Sequence, residues 1–161
     1  HMQIGPYAHW ASLILSDESA YDIKSLMMDV YSGLPGVALF LGALHAETGE
    51  ERYASLLLGT LNNIKRLTDR YKSLNFKARM GAYDGWFGLA YSLHHVATLT
   101  QNEEVRSYAN DLLDFALESL DQIKGYDVLT GSAGIIMVLD ALADQEAAQK
   151  IDTAIEHLAD G

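Results

Sequence analysis

The sequence contains no cysteine among its 161 residues. This absence excludes disulfide bonds within the chain and any metal site that depends on thiolate ligands. Proline is also scarce, with two residues, so most of the chain lacks the residue that interrupts helices most strongly. No apolar run reaches the ~18 residues that a membrane-spanning helix needs. The composition therefore favours a helical protein without covalent cross-links.

Basic residues are few: 11 Lys and Arg stand against 22 Asp and Glu, which gives a formal net charge of -11. Non-specific nucleic-acid binding needs a basic surface, so we predict no nucleic-acid partner. Hydrophobic residues make up 49% of the chain, enough for a core, and the length predicts one domain or part of a larger one. We expect a cytoplasmic location, and interpret residues 1–2 as a cloning remnant before a domain covering 3–161.

Three segments of the chain resemble one another, and each begins with two glycines three residues apart. The pairs are Gly33/Gly36, Gly85/Gly88 and Gly131/Gly134. The first glycine recurs after 52 and then 46 residues, a spacing typical of helical-hairpin repeats. The segments run over Ser32–Ile64, Asp84–Leu120 and Thr130–Leu158.

Each segment divides into an apolar first half and an amphipathic second half. "GVALFLGAL", "GLAYSLHHVATL" and "GIIMVLDAL" are apolar on nearly all sides and predict buried inner helices. Apolar residues in the second halves recur at helical spacing between charged ones, and "ETGEER" and "LTQNEE" supply the turns. We predict an all-α fold of about three inner and outer helical hairpins. Periodicity leaves open whether they form part of an α/α toroid or an open solenoid.

The glycine pairs predict a shared rim. We expect the first glycine of each pair to adopt a positive φ and the second to let the helix start pack closely against a neighbour. If the inner helices are parallel, their N-termini gather on one rim, where their dipoles would suit an anionic group. Tyr83, Asp84, Tyr126 and Asp127 precede glycine pairs and are therefore predicted to lie at this rim.

The residues around the glycine pairs resemble a known family. "DVYSGLPGVALFLGALHAETGEERYA", "GAYDGWFGLAYSLHHVATLT" and "YDVLTGSAGIIMVLDAL" are similar to consecutive repeats of the lanthionine synthetase C-like family. The resemblance is strongest to the cyclase domain of class II, bifunctional lanthipeptide synthetases, and covers the chain from Trp10 onward. It implies an α/α toroid, of which this chain would be an N-terminal portion.

The resemblance also implies an activity. Members of the family add a peptide cysteine thiol to dehydroalanine or dehydrobutyrine, closing a thioether ring. A Zn²⁺ held by two Cys and one His favours the thiolate. Those ligands lie in later repeats, so we expect zinc in the complete enzyme but no metal or other cofactor in this portion, which alone would be inactive. The implied partners are a precursor peptide, the remainder of the toroid and a dehydratase domain.

Asp127 is the residue to which the resemblance assigns a catalytic role, in positioning or proton handling, because it matches the Asp of a family rim loop. From the sequence alone, an acid before a helix is more simply an acceptor for backbone N–H groups, and the two roles are compatible. For Tyr83, Asp84 and Tyr126 we predict a weaker contribution to peptide binding, with packing of the tyrosines as the alternative.

Other polar residues are given structural interpretations. His94 and His95 are adjacent on a helix and point about 100° apart, so they do not readily share a metal ion. The basic stretch over residues 65–79 is interpreted as a solvated helix end, with contact to an acidic leader peptide or the dehydratase domain as the alternative. Asp140, within an apolar run, is predicted to be a buried carboxylate or to face a partner outside this chain.

A second hypothesis is a self-contained helical-repeat module that binds a peptide without catalysis. An arc of a ring would leave an inner helix unpaired, and we expect it to self-associate through that open edge or to expose a large apolar patch. A module would carry polar capping helices, and the polar final segment is compatible with one cap. A toroid glycosidase is a third option, with Asp84 or Asp127 among its paired carboxylates.

Overall fold

The computed structural model describes residues 1–17, 20–74, 79–143 and 148–160. The described residues form six α-helices in three hairpins, preceded by two short antiparallel β-hairpins. The helices are α1 (Leu34–Thr48), α2 (Glu51–Ser73), α3 (Trp86–Thr100), α4 (Glu103–Leu117), α5 (Ser132–Leu142) and α6 (Ala148–Asp160), with a 3-10 turn at Leu120–Gln122. The strands are β1 (Met2–Ile4), β2 (Tyr7–His9), β3 (Ala11–Asp17) and β4 (Ala20–Ser25). This confirms the predicted all-α fold of hairpin repeats.

The turns within the first two hairpins lie where the sequence predicts them. After α1, Gly49 adopts a left-handed conformation (φ 68°) and its N–H donates to the carbonyl of His45. After α3, Gln101 takes the same conformation, with φ 52°. The side chain of Asn102 then accepts from the N–H of Val105 at 3.1 Å and so caps α4.

The inner helices lie side by side, with α3 between α1 and α5, and each packs against its own outer helix. Large side chains of α3 are fully enclosed, among them Phe87, Leu89 and Leu93, because neighbours cover α3 on nearly every side. The outer helices bury one face, as Ile64 on α2 and Leu112 on α4 do. The predicted division into buried inner and amphipathic outer helices is therefore confirmed.

The N-terminal β-hairpins are elements that the sequence analysis did not predict. The first packs on α2, where Ala8 is fully buried against Gly59 and its carbonyl accepts from the side-chain amide of Asn63 at 3.1 Å. Trp10 follows it and donates its indole N–H to Thr60 Oγ1 at 3.0 Å. These contacts attach the start of the chain to the outer layer.

Asp140 is exposed, so the prediction of a buried carboxylate is wrong. It points away from the side of α5 that carries Ile135 and Leu139, which are fully buried. Lys77 of the basic stretch and residues 144–147 of the third repeat lie outside the described residues. Over the part of the chain that the structure describes, no helix is both long and apolar enough to cross a bilayer.

Candidate functional site at the loops before the inner helices

Each inner helix follows a seven-residue loop, here called rim loop 1 (residues 27–33), rim loop 2 (79–85) and rim loop 3 (125–131). All three loops close in the same way: the first helical N–H donates to the carbonyl seven residues earlier. These bonds run from Leu34 to Met27, from Trp86 to Arg79 and from Ser132 to Gly125, over 2.8, 3.2 and 3.1 Å. The three repeats therefore share one backbone design at the start of the inner helix.

At the start of α3, loop carbonyls occupy the N–H groups that an anion would need. In the second repeat, Phe87 and Gly88 also donate backward, to the carbonyls of Met80 and Gly81 at 3.4 and 3.2 Å. An anion site at a helix N-terminus requires free N–H donors. The prediction of an anion-binding rim is therefore wrong at the start of α3, and at the other two repeats it stays a prediction.

The first glycine of each pair closes its rim loop by lying against that loop's own backbone. Gly33, Gly85 and Gly131 have φ values of -121°, -144° and -100°, so the predicted positive φ is wrong. A Cβ at these positions would lie 2.2, 2.4 and 2.6 Å from a backbone atom of the same loop. The glycines are therefore required for space, and not for a left-handed backbone.

The second glycine of each pair lies against a carbonyl oxygen six residues earlier. A Cβ on Gly36, Gly88 or Gly134 would be 2.4, 2.1 or 1.9 Å from that oxygen, so no side chain fits without moving the loop. The residues carrying the oxygens are Val30, Ala82 and Val128. In all three repeats, the helix start therefore lies close against its own rim loop.

Gly36 differs from the other two second glycines in what surrounds it. Gly88 and Gly134 are buried and also contact the preceding rim loop, whereas Gly36 is half-buried. Among the described residues, a Cβ on Gly36 would meet only atoms of Val30, in its own loop. The prediction that each second glycine packs against a neighbouring repeat is therefore wrong at Gly36, because no described repeat precedes the first one.

The rim loops are joined by main-chain hydrogen bonds. Val30 of rim loop 1 donates its N–H to the carbonyl of Tyr83 in rim loop 2 at 2.8 Å. Tyr83 in turn donates to the carbonyl of Leu129 in rim loop 3 at 3.2 Å. The loops thus lie in chain order along one rim, and the predicted site residues Tyr83, Asp84, Tyr126 and Asp127 belong to neighbouring loops.

Asp127 organises rim loop 3 and remains exposed. Its Oδ1 accepts from the backbone N–H groups of Leu129 and Thr130, both at 2.8 Å, and its Oδ2 accepts from Thr130 Oγ1 at 2.7 Å. The hydrogen bonds from Thr130, followed by that from Leu129, lower the pKa of the Asp127 carboxyl, because they stabilise its charged form. Asp127 is therefore ionised at neutral pH, and its predicted contact with backbone N–H groups is present.

Rim loop 1 contains the same arrangement at Asp29, which the sequence analysis did not select. Asp29 Oδ1 accepts from the N–H of Ser32 at 2.6 Å and from its hydroxyl at 2.8 Å. The signal was visible in the sequence, because Asp-Val-x-(Ser/Thr)-Gly occurs at residues 29–33 and again at 127–131. Two of the three rim loops thus share one carboxylate-centred turn.

Rim loop 2 places its carboxylate at the opposite end of the loop. Gly81 stands where the other loops have Asp, and Asp84 stands where they have Ser or Thr. The Asp84 carboxylate folds back over Gly81: a Cβ there would lie 2.5 Å from Asp84 Oδ1 and 2.5 Å from the carbonyl oxygen of Leu129. Asp84 Oδ1 is enclosed and accepts no hydrogen bond from the residues that the structure describes.

A cavity of about 300 Å³ lies between rim loops 1 and 2. It brings together carboxylates of two repeats and the guanidinium of Arg79 over an apolar floor. The lining residues are Met27, Met28, Asp29, Tyr71, Arg79, Asp84, Gly85, Trp86 and Leu89. Of the predicted site residues, Asp84 lines this cavity, while Tyr126 and Asp127 are exposed at rim loop 3.

The described residues do not fit a zinc ion. The chain has no cysteine, and its described part brings no three His, Asp or Glu side chains together in a metal-binding group. His94 and His95 have different surroundings: His94 is buried against α4, near Arg106 and Asn110, whereas His95 packs edge-on against Tyr91 at 4.3 Å.

The inner helices are parallel, each begins at a glycine pair, and each is followed by an outer helix. This arrangement defines the class of the protein as a two-layered α-helical repeat protein. Residues 24–160 match the lanthionine synthetase C-like protein family, and the chain belongs to this family. This membership confirms the family resemblance and supports a role related to lanthionine cyclisation. A comparison with curated proteins gave no match.

Proposed function

We propose that residues 3–161 form the N-terminal part of the cyclase domain of a class II lanthipeptide synthetase. In the complete enzyme, this domain adds peptide cysteine thiols to dehydroalanine or dehydrobutyrine. The observation that carries the proposal is the family match over residues 24–160, which includes the loop of Asp127. We expect the enzyme to act in the cytoplasm on a precursor peptide, together with the rest of the ring and a dehydratase domain.

The ladder of rim loops supports an arc rather than a finished module. At the two junctions present, the second glycine of one repeat lies against the preceding loop: Cβ positions on Gly88 and Gly134 would be 3.0 Å from Val30 Cγ2 and Ala82 Cβ. Val128 holds the corresponding place in rim loop 3 and is 45% exposed. A fourth repeat with its own glycine pair would cover it. This supports the arc over the self-contained peptide-binding module.

Asp127 is assigned a positioning role within this function. A general base works best when its pKa lies near the working pH, whereas hydrogen bonds hold the pKa of Asp127 below its ordinary value. An ionised carboxylate has lone pairs beyond those already used by Leu129 and Thr130, so it can also accept from a peptide N–H. Asp127 would therefore hold the peptide at the rim while another group handles the proton.

Thiol activation is assigned to parts of the ring outside this chain. In this family zinc supplies that chemistry, but the residues described here do not form a donor set for it. The contribution of this chain is to build the rim and to orient the peptide. Alone, with dehydrated precursor peptide, it should close rings no faster than the uncatalysed reaction. Zinc-dependent turnover by the isolated chain would contradict the proposal.

The assigned role of Asp127 is tested by comparing Asp127→Asn with Asp29→Asn in the complete enzyme. Both changes remove one charge from the same kind of loop, so a structural effect alone would appear in both. We expect Asp127→Asn to slow cyclisation at least ~10-fold and leave dehydration intact, and Asp29→Asn to leave both rates near wild type. If both variants lost cyclisation rate equally, or if Asp127→Asn slowed dehydration as well as cyclisation, the assigned role of Asp127 would be wrong.

A further inference from the structure

The second β-hairpin, here called the ribbon (residues 11–17 and 20–25), has one wholly apolar central face. Strands β3 and β4 are antiparallel, with Leu13 opposite Ile23 and Leu15 opposite Tyr21. Alternate residues of a strand point to the same side, so these four side chains share one face. They are between 56% and 79% exposed. Two cross-strand pairs therefore form a continuous apolar surface in contact with water.

The other face of the ribbon is different. It carries Ser12 opposite Lys24 and Ile14 opposite Asp22, so charged and hydroxyl groups predominate there. The base of the ribbon is closed by a 2.8 Å bond from the N–H of Leu26 to the carbonyl of Trp10. The ribbon is thus amphipathic and attached at its base, and its apolar side chains are exposed.

The ribbon lies almost entirely outside the part of the chain that defines the family, since the match begins at residue 24. An isolated two-stranded ribbon is marginally stable in water and normally gains stability by packing its apolar face. The four side chains present on the order of 500 Å² of apolar surface, within the size range of functional patches on monomers. The helical ring of the family does not account for this surface.

We propose that two copies of this chain associate by packing their ribbons face to face. The four side chains of the two cross-strand pairs carry no charge, so the surface they form is self-complementary and suits a two-fold interface. Two such faces would bury about 1,000 Å², at the lower limit for specific interfaces, which predicts a weak, reversible dimer. Each copy carries a net charge of -11, so association strengthens as salt screens the repulsion.

The inner-helix edges are poorer surfaces for the same contact. At these edges α1 exposes Phe40 (63%) and α5 exposes Met137 (61%), each as a single large apolar side chain. Asp140 is exposed on the same helix as Met137 and would be desolvated by close packing there. We therefore expect self-association at the ribbon, and not at the open edge of the inner helices.

The mass of the full chain in sedimentation equilibrium tests the proposal. We expect a concentration-dependent shift from 17.7 kDa towards twice that mass, more pronounced at high salt. Leu13→Thr with Ile23→Thr keeps β-forming residues but removes the apolar face, and should weaken the dimer at least ~10-fold. Met137→Thr is the matched control and should have no effect. A monomer at all concentrations, or a dimer sensitive to Met137→Thr alone, would overturn the proposal.

Cross-linking locates the interface without a measurement of how stable the dimer is. Because the chain has no cysteine, a single introduced thiol reports one contact without background. We expect Ile23→Cys to form a disulfide-linked dimer rapidly under mild oxidation, and Met137→Cys to do so at the slow rate of random collision. Equal rates, or faster cross-linking at residue 137, would assign the contact elsewhere.

Discussion

The second and third repeats use the same loop backbone in different surroundings. Rim loop 2 lies between two other loops, and its Asp84 carboxylate is half-buried with one enclosed oxygen. Among the described residues, rim loop 3 has a neighbouring rim loop on one side. Its Asp127 carboxylate is exposed and accepts three hydrogen bonds. The central repeat has Gly81 where the other loops have Asp, and rim loop 3 packs directly on that position. We therefore expect the neighbouring loop to determine which end of the loop can carry the carboxylate.

The largest expected loss of stability comes from a substitution at the second glycine, which in both repeats lies against a carbonyl oxygen of its own rim loop. Gly88→Ala would place a Cβ 2.1 Å from the carbonyl oxygen of Ala82, so the loop must shift, and we expect a loss of about 3 kcal/mol in unfolding free energy. Gly42→Ala is the control, since its nearest neighbour would be an ordinary 3.8 Å away. It should gain about 0.5–1 kcal/mol, measured by urea denaturation. Similar changes in unfolding free energy for both variants would show that the rim loop can shift at little energetic cost.

A smaller loss of stability is expected at Gly81, a position at which rim loops 2 and 3 differ. Gly81→Ala should lose about 2 kcal/mol, because its Cβ would lie 2.5 Å from the carbonyl oxygen of Leu129 and 2.6 Å from Thr130 Cα. Gly81→Asp combined with Asp84→Ser gives rim loop 2 the arrangement of rim loop 3. We expect this double variant to be no more stable than Gly81→Ala. Recovery of wild-type stability would mean that the local sequence, not the neighbouring loop, chooses the arrangement.

Acid should weaken the central repeat through His94. Burial, followed by the charge of Arg106, lowers the pKa of this imidazole, so the unfolded chain binds its proton first as the pH falls. Stability attributable to neutral His94 is therefore complete above pH 6.5 and declines below it. His94→Leu should flatten the pH dependence of the urea midpoint below pH 6.5. An unchanged slope would show that His94 does not contribute to it.

The smallest effect concerns Asp127. Its pKa is lowered in the folded chain, so its contribution to stability is present above the ordinary value of 3.8 and is lost as the pH falls below it. Asp127→Asn should remove a small part of the acid dependence below about pH 4, measured in the same titration. A loss of stability at neutral pH as large as that of Gly81→Ala would instead make this carboxylate a main support of the fold.

Much of the fold could be predicted because the relevant signals are local. Gly49 and Asn102 mark turns through their own backbone and side-chain preferences, and both turns are confirmed. The buried alternative for Asp140 was wrong because α5 is apolar on most sides, so periodicity does not indicate which side faces a neighbour. Strands β3 and β4 were missed because their pairing joins two short segments whose large apolar side chains remain exposed, so no burial pattern along the chain marks them.

The three repeats, the glycine pairs and the Asp of rim loop 3 could be read from the chain alone, since they depend on residue type and spacing. Only the folded chain shows the order of the rim loops, the enclosure of the Asp84 Oδ1 atom, the half-buried setting of Gly36 and the occupied N–H groups at the start of α3. Each of these depends on backbone groups of different loops or on how a loop closes against its helix. Backbone carbonyls, and the N–H groups of every residue except proline, are chemically alike, so packing selects their partners.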